Sequence, residues 1–359
     1  MQVTYFVGAG ASYYSLPIIE TMNVRMKAFS HFLKDQKQKG TLKNDFADQF
    51  IKDLDELIQI DKNRTSIDAY ARELVLKGTG DSQMKLLHLK AILSSYIVFE
   101  QLLKPDDLIF YSDKHYTDIL PNLPIPHDET LQEMIRTHID KRYYTFWGDH
   151  LTPGSDELPN NIKVLSWNYD MQFESSYSHI KHYSLELTQQ NLQVFPSVLK
   201  GIDSNKSCIL KLNGTAGLIH DNSQKKIYNL FDPREHKLME NLDFLIEILK
   251  NNYHRAFSKP LFYFAWETEE IVNQTRQLAI NIIKETEILV IIGYSFPSFN
   301  KSVDKQIFSD ISKLKKIYYQ APNNELPELI DRLNGINTEM QHLTKGINNL
   351  RTFYFPTEI

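Results

Sequence analysis

From about residue 160 onward, the chain alternates between short apolar runs and stretches with helical spacing. The apolar runs have the length of β-strands and lie at 163–167, 208–212, 261–265, 288–292, 316–319 and 352–355. Helical patterns occupy 242–257, 267–285, 301–314 and 326–333. Continuous apolar strands that alternate with helices are typical of a parallel sheet covered on both faces. We therefore predict a Rossmann-like α/β fold, with a parallel sheet flanked by helices.

The first strand of this sheet is expected at the start of the chain. Residues 3–7 (VTYFV) are β-branched and aromatic and end in glycines, which stop a strand, and a helix is expected to follow. The next zone is helical in pattern throughout, with amphipathic stretches at 45–60, 66–76, 83–103 and 129–144. Thr65-Ser66 offers an N-cap for one of these helices.

Because the first strand belongs with strands far downstream, we interpret the helical zone as an insertion. The predicted domains are a Rossmann domain at 1–17 plus 160–359 and an all-helical insertion at 18–159. The segment 152–161 (TPGSDELPNN) is the predicted linker that rejoins the insertion to the sheet.

Composition excludes several classes of protein. The net charge of −5 and a single basic run, at 34–43, predict no direct nucleic-acid binding. The lone cysteine, Cys208, excludes an intramolecular disulfide and a four-cysteine zinc site, and its apolar surroundings predict a buried, inert thiol. No apolar stretch reaches the roughly 18 residues of a membrane span. The first residues lack a signal-peptide pattern, so we expect a cytoplasmic protein.

The glycine turn after the first strand is a candidate phosphate site. Gly8-Ala9-Gly10-Ala11-Ser12 would let a pyrophosphate approach the backbone, beside the N-terminus of a following helix. The segment is neither GxGxxG nor a P-loop. On this segment alone, a plain strand–helix turn is an equal alternative.

Polar residues also follow three later strands. Asn168-Tyr169-Asp170, Asn213-Gly214 and Gly293-Tyr294-Ser295 each begin within two residues of an apolar run. Open α/β sheets bind ligands beyond the carboxyl ends of their strands, so these residues are expected to face one site. Two alternatives stay open: the Asn-Tyr-Asp turn could cap the next helix, and the Gly-Tyr-Ser-Phe-Pro segment could be a turn with a proline stop.

Five segments together resemble a known family. The chain reads GAGASYYSLP at 8–17, SID at 66–68, SWNYD at 166–170, KLNG at 211–214 and IIGYSFP at 291–297. In the same order these resemble the GAGxSxxxGxP, SIDxF, TxNxD, KLHG and IIGYSxP motifs of the sirtuin-like (SIR2-like) family. Ser15 stands where a glycine is usual, and most of the insertion has no counterpart in the resemblance.

The resemblance implies that the chain binds NAD+ and cleaves its nicotinamide–ribose bond without a metal. Asn168 would orient the ribose or the attacking water, and Asp170 would accept the carboxamide N–H. Ser12 and the amides of Gly8, Ala9 and Gly10 would hold the pyrophosphate. Gly293 and Ser295 would lie beside the adenosine ribose. The remaining residues implied to bind the dinucleotide are Tyr294, Pro17 and Asp68.

The main departure is at Asn213, where the family has a histidine that activates the ribose hydroxyl. An amide side chain has no titratable proton near neutral pH and cannot be a general base. Hydrolysis could run on Asn168 and a water, another histidine (His220, His179 or His182) could substitute, or the site could bind NAD+ without turnover. No cysteine or carboxylate near His179 and His182 completes a metal site.

The chain also lacks the CxxC pairs of the sirtuin zinc module, which disfavours protein deacylation. SIR2-like relatives without zinc are mostly bacterial, and many deplete NAD+ in antiphage defence under control of oligomerisation or a partner subunit. The resemblance therefore implies an NAD+ hydrolase that forms a homo-oligomer or binds a partner protein. The alternative is a catalytically impaired NAD+- or ADP-ribose-binding subunit of a defence complex. A dehydrogenase is disfavoured, because no second strand with an acidic end follows the glycines.

Overall fold

The computed structural model describes residues 1–63, 66–102, 139–151, 154–197, 201–221, 226–229, 250 and 258–358. The helix predicted at 242–257 lies outside the described residues, apart from residue 250, as do Thr65 and most of the stretch 129–144. The chain divides into two compact units. The first comprises Met1–Ser12, Ile139–Thr215 and Tyr263–Ile359, and the second comprises Tyr13–His138 and Ala216–Phe262. The helical insertion predicted at 18–159 shares residues 18–138 with the second unit.

Ten strands are described. They are β1 Val3–Val7, β2 Ile162–Ser166, β3 Val194–Phe195, β4 Cys208–Lys211, β5 Gly214–Asp221, β6 Lys226–Asn229, β7 Ser258–Phe262, β8 Ile288–Ile292, β9 Lys316–Gln320 and β10 Thr344–Ile347. Seven of them form one sheet in the order β10-β9-β8-β1-β2-β4-β3, and every pairing in it is parallel. The predicted Rossmann-like α/β fold is therefore confirmed.

The described α-helices are α1 Ile19–Gln38, α2 Ala47–Asn63, α3 Ile67–Lys77, α4 Gly80–Leu102, α5 Lys141–His150, α6 Gln172–Lys181, α7 Leu185–Asn191, α8 Glu270–Glu285, α9 Lys301–Ile307, α10 Leu326–Asn334 and α11 Met340–Leu343. None of these helices combines the length and the apolar character that crossing a bilayer requires.

The parallel sheet buries both of its faces, which explains why its strands are continuous apolar runs. One core contains Phe6, Leu165, Leu210, Leu289 and Ile291. The core on the opposite face contains Tyr5, Val164, Ile209, Val290 and Tyr318. Neighbouring residues of each strand alternate between the two cores because side chains along a strand point to opposite faces.

Three predicted elements were wrong in place or extent. Residues 352–355 form no strand; Phe353 instead packs edge-on against Tyr143, and the last strand is β10, whose polar TKGI sequence gives no apolar signal. The run predicted at 261–265 contributes to β7, which belongs to a separate three-stranded sheet. The helix predicted at 301–314 ends at Ile307.

The second unit contains α1, α2, α3 and α4 and, apart from the first two residues of β5, the smaller sheet β6-β5-β7. Stretches predicted at 45–60, 66–76 and 83–103 correspond to α2, α3 and α4. Ser66 caps α3 as expected, since its Oγ accepts a hydrogen bond from Ala69 N at 3.1 Å. Phe29 and Phe99 stack at 3.7 Å between α1 and α4. The antiparallel pairing of β5 with β6 was not predicted.

A buried histidine in the first unit predicts acid sensitivity. His150 Nε2 lies 2.9 Å from Tyr5 Oη, its Nδ1 lies 2.8 Å from Phe146 O, and burial lowers its pKa to about 4. Unfolded His150 binds a proton more readily, so this contribution to stability is complete above pH 6.5 and is lost as the pH falls toward 4. Between pH 7 and pH 5 we expect a loss of about 2 kcal/mol in the free energy of unfolding.

Urea unfolding at pH 7, 6 and 5 measures this loss. The control is His150→Phe, which keeps an aromatic ring against Phe146 but cannot titrate. Equal pH slopes for the wild type and the variant would show that His150 is not the source.

Candidate functional site

Five parallel strands end in one row. Their register aligns Gln320, Ile292, Val7, Ser166 and Lys211, the last residues of β9, β8, β1, β2 and β4. The loops that follow these strands therefore leave the sheet at the same edge, which is the edge where open α/β sheets bind ligands.

The turns after β1 and β8 pack backbone against backbone. Gly10 N donates to Gly293 O at 2.9 Å, and Gly8 N donates to Ile292 O at 3.0 Å. Gly293 has φ +60°, and a Cβ at this position would lie 2.2 Å from Ala11 N. A Cβ on Gly10 would lie 2.8 Å from Gly293 Cα. These glycines are required because a side chain would separate the two turns.

The helix expected to follow the glycines does not begin at the turn itself. Ala9–Ser12 forms a four-residue 3-10 helix, and the first α-helix begins only at Ile19. Pro17 disfavours the helical conformation at the residue before it, which prevents a continuous helix from the glycines. A helix dipole therefore provides no argument for a phosphate at this turn. Of the three amides expected to face the phosphate, only that of Ala9 lacks an acceptor among the described residues.

Asn168 is fixed to the glycine turn. Its Nδ2 donates to Gly8 O at 2.9 Å, and its backbone N donates to Ser166 Oγ at 3.1 Å. The residue is only 7% exposed. Its Oδ1 accepts nothing from the described residues, yet it is not sealed from solvent. The side chain therefore presents one oriented acceptor at the sheet edge.

Asp170 lies at the centre of a buried hydrogen-bond network. Its Oδ2 accepts from Ser12 Oγ at 2.7 Å, and Ser12 Oγ lies 2.8 Å from Tyr143 Oη. Its Oδ1 accepts from the backbone N of Gln172, the first residue of α6, at 3.1 Å. The helix-capping alternative for this turn is thus supported by a hydrogen bond. Ser12 and Asp170 face each other and are 1% and 4% exposed.

Arg142, on α5, donates hydrogen bonds to the backbone of the glycine turn. One terminal nitrogen donates to Gly10 O at 3.0 Å and to Ala11 O at 3.1 Å, and the same nitrogen lies 2.6 Å from Asp140 Oδ2. The side chains of Arg142 and Asp140 are almost fully buried. Sequence reasoning missed Arg142 because a single arginine in a helical pattern looks like a surface residue.

Asn213 follows β4, which lies at one end of the row of five aligned strands. Tyr263 N donates to Asn213 O at 2.9 Å, and Tyr169 Oη donates to Tyr263 O at 2.7 Å, so Tyr263 connects the two asparagine turns. Asn213 Oδ1 is sealed from solvent and has no hydrogen-bond partner among the described residues. A buried polar atom of this kind is costly unless a water or a ligand pairs with it.

Tyr294 points into the protein and not toward the sheet edge. Its hydroxyl donates to Asp304 Oδ2 at 2.8 Å and accepts from Asn300 Nδ2 at 2.9 Å, while its ring stacks on Trp167. Burial raises the pKa of Asp304 to about 8, against the lowering effect of the hydrogen bond from Tyr294. Ser295 is exposed. The alternative interpretation of this segment as a structural turn thus fits Tyr294, although both interpretations are compatible with Gly293.

Of the other sequence candidates, the two in the first unit, His179 and His182, do not join this cluster. Pro17, Asp68 and His220 belong to the second unit. His179 bonds to Tyr144 Oη through Nδ1 at 2.8 Å, and His182 ends α6 with φ 57°. None of the described histidines bonds to Asn168, Asp170 or Asn213.

Neither a metal site nor a reactive thiol emerges from the described residues. They contain no group of three His, Cys, Asp or Glu side chains placed to hold a metal ion. Cys208 is buried as predicted, and burial raises the pKa of its thiol to about 11.

The parallel sheet and the polar loops at its carboxyl edge define the chain as a Rossmann-like α/β protein. Comparison with models of known protein families finds no match, and comparison with curated protein sequences finds none either.

Proposed function

We propose that the first unit binds NAD+ at the carboxyl edge of the sheet and hydrolyses its nicotinamide–ribose bond. One observation carries the proposal. Two asparagines follow adjacent strands, with Asn168 locked to the glycine turn and Asn213 Oδ1 buried without a partner among the described residues. The resemblance of the strand-end motifs to the SIR2-like family supports the choice of NAD+ as the ligand.

The proposed reaction needs no protein nucleophile. The bond between ribose C1′ and the nicotinamide nitrogen breaks, and nicotinamide leaves with the electron pair. A water oxygen bonds to C1′, and the proton of that water passes to solvent. Asn168 Oδ1 would accept a hydrogen bond from this water or from a ribose hydroxyl, and the Asn213 amide would contact the same ribose. Holding the reactants in place can supply much of the rate acceleration in such a step.

The remaining candidates have different support. The Ala9 amide is the proposed pyrophosphate donor, and Gly293 with Ser295 would lie beside the adenosine ribose. Asp170 stays a candidate for the nicotinamide carboxamide, although both of its oxygens already have protein partners. The wider proposal is an effector of bacterial antiphage defence that depletes NAD+ in the cytoplasm. It would be gated by homo-oligomerisation or by a partner subunit.

We expect Asn168→Ala to lower the rate of nicotinamide release at least 100-fold, since it removes the acceptor proposed to orient the attacking water or the ribose. Purified protein, alone and with a neighbouring-gene partner, is incubated with NAD+, and nicotinamide and ADP-ribose are quantified by chromatography. Asn281→Ala, on the exposed face of α8, is the matched control. Equal product formation by Asn168→Ala and Asn281→Ala would refute the assignment.

A second candidate function is favoured by one residue. Asn213 stands where the SIR2-like motif has a histidine, and an amide cannot accept a proton in the reaction. The first unit would then bind NAD+ or ADP-ribose without turnover, as a subunit of a defence complex. This candidate is supported over the hydrolase if calorimetry detects NAD+ binding and no nicotinamide is released in the presence of the partner.

A further inference from the structure

A fully buried lysine connects the two asparagine turns. Lys211 is the last residue of β4, and its side chain is 0% exposed. Its Nζ donates to the backbone carbonyl of Asp170 at 2.5 Å and lies 3.2 Å from Glu174 Oε2. The Glu174 side chain, on α6, is also 0% exposed. One ammonium group therefore joins the end of β4, the turn after β2 and the helix that follows this turn.

Stability alone does not explain this ion pair. Burying two charges costs desolvation energy, and well-packed apolar side chains of similar volume often serve a core equally well or better. Burial raises the pKa of Glu174, while the charge of Lys211 lowers it. The strands around the pair are apolar, so apolar side chains could take its place in the core. The charged pair is therefore expected to have a role other than stability.

Its position in the chain indicates that role. Asn168 precedes Asp170 by two residues, and Asn213 follows Lys211 by two residues. The bond from Lys211 to Asp170 O therefore fixes the turn after β2, which carries Asn168, relative to the end of β4, which precedes Asn213. Loss of this bond would leave the turn joined to Asn213 through Tyr169 and Tyr263 but no longer through Lys211.

We propose that Lys211, held in place by Glu174, is a positioning residue that sets the spacing between Asn168 and Asn213 around the ribose of NAD+. This inference rests on the proposed function for its ligand. The anchoring of the 168–170 turn by Lys211 can be tested without that function.

The test is the double variant Lys211→Met/Glu174→Met, which removes both charges and keeps side-chain volume. We expect it to fold with a Tm close to that of the wild type. The kcat for NAD+ hydrolysis should fall on the order of 10- to 100-fold, as expected for a displacement of about 1 Å, with KM changed much less. Lys211→Arg, which can still donate to the carbonyl, should recover part of kcat. The control is Lys313→Met/Glu285→Met, an exposed ion pair of the same types, which should change neither parameter.

Hydrogen–deuterium exchange separates this inference from the proposed function. In Lys211→Met/Glu174→Met, amides of residues 168–172 should exchange faster, while those of β9 should not change. Unchanged exchange at 168–172, or an unchanged kcat, would overturn the positioning role. If the wild type releases no nicotinamide, the hydrolase proposal fails, and the exchange result still decides whether Lys211 anchors the turn.

Discussion

Arg142→Met is expected to destabilise the first unit by about 3–5 kcal/mol, the range observed when one partner of a buried ion pair is removed. The substitution removes the donors to Gly10 O and Ala11 O and the cation that pairs with the buried Asp140 carboxylate. Methionine fills similar space but donates no hydrogen bond. Because the glycine turn loses its support, we also expect weaker binding of NAD+.

Thermal and urea unfolding of Arg142→Met and Arg351→Met measure this effect. Arg351 is exposed, so its substitution should change the free energy of unfolding by less than about 1 kcal/mol. Arg142→Lys keeps the charge but cannot reproduce the forked geometry, and it should fall between the wild type and Arg142→Met. Similar losses for Arg142→Met and Arg351→Met would contradict the role of Arg142.

Gly293→Ala is expected to destabilise the first unit by about 3 kcal/mol, which lowers Tm by roughly 10 °C for a unit of this size. Two effects add: φ +60° is unfavourable for alanine, and the new Cβ would lie 2.2 Å from Ala11 N. The turns after β1 and β8 must then separate, which breaks the bond from Gly10 N to Gly293 O.

Gly154→Ala is the matched control for this substitution. Gly154 has φ +80°, but a Cβ there meets no atom of the described residues within 4 Å. Gly154→Ala is therefore expected to show only the cost of a positive φ for alanine, about 1–2 kcal/mol. The difference in Tm between the two variants isolates the contact between the turns. A Gly293→Ala protein as stable as Gly154→Ala would show that this close approach is not needed.

The sequence was sufficient to predict the parallel sheet because its strands are buried on both faces. Strands β8, β2 and β4 appear as uninterrupted apolar runs, and the polar residues after them mark the sheet edge. Strand β10 escaped prediction because it lies at the sheet edge and is only partly buried, so it needs no apolar run. Of the smaller sheet, β7 overlaps a run that was predicted for the parallel sheet, while β5 and β6 were not predicted.

At the candidate site, the sequence indicated which turns meet but not how their side chains pair. Asn168 does reach the glycine turn. Ser12 was expected to face a phosphate, whereas its hydroxyl bonds to Asp170 and Tyr143. Arg142 and Lys211 were not identified, because long-range pairing of a buried cation leaves no local pattern in a sequence. Gly293 was singled out, but its close approach to Ala11 depends on the register of β1 with β8.

In the proposed complex, the loops after β1, β2, β4 and β8 surround one dinucleotide. Hydrogen–deuterium exchange with and without saturating ADP-ribose, which retains the pyrophosphate and both riboses, tests it most directly. We expect slower exchange in peptides that cover residues 8–12, 166–172, 211–215 and 292–296, with little change in α8. Protection confined to other parts of the chain, or no protection at a ligand concentration that saturates binding, would contradict it.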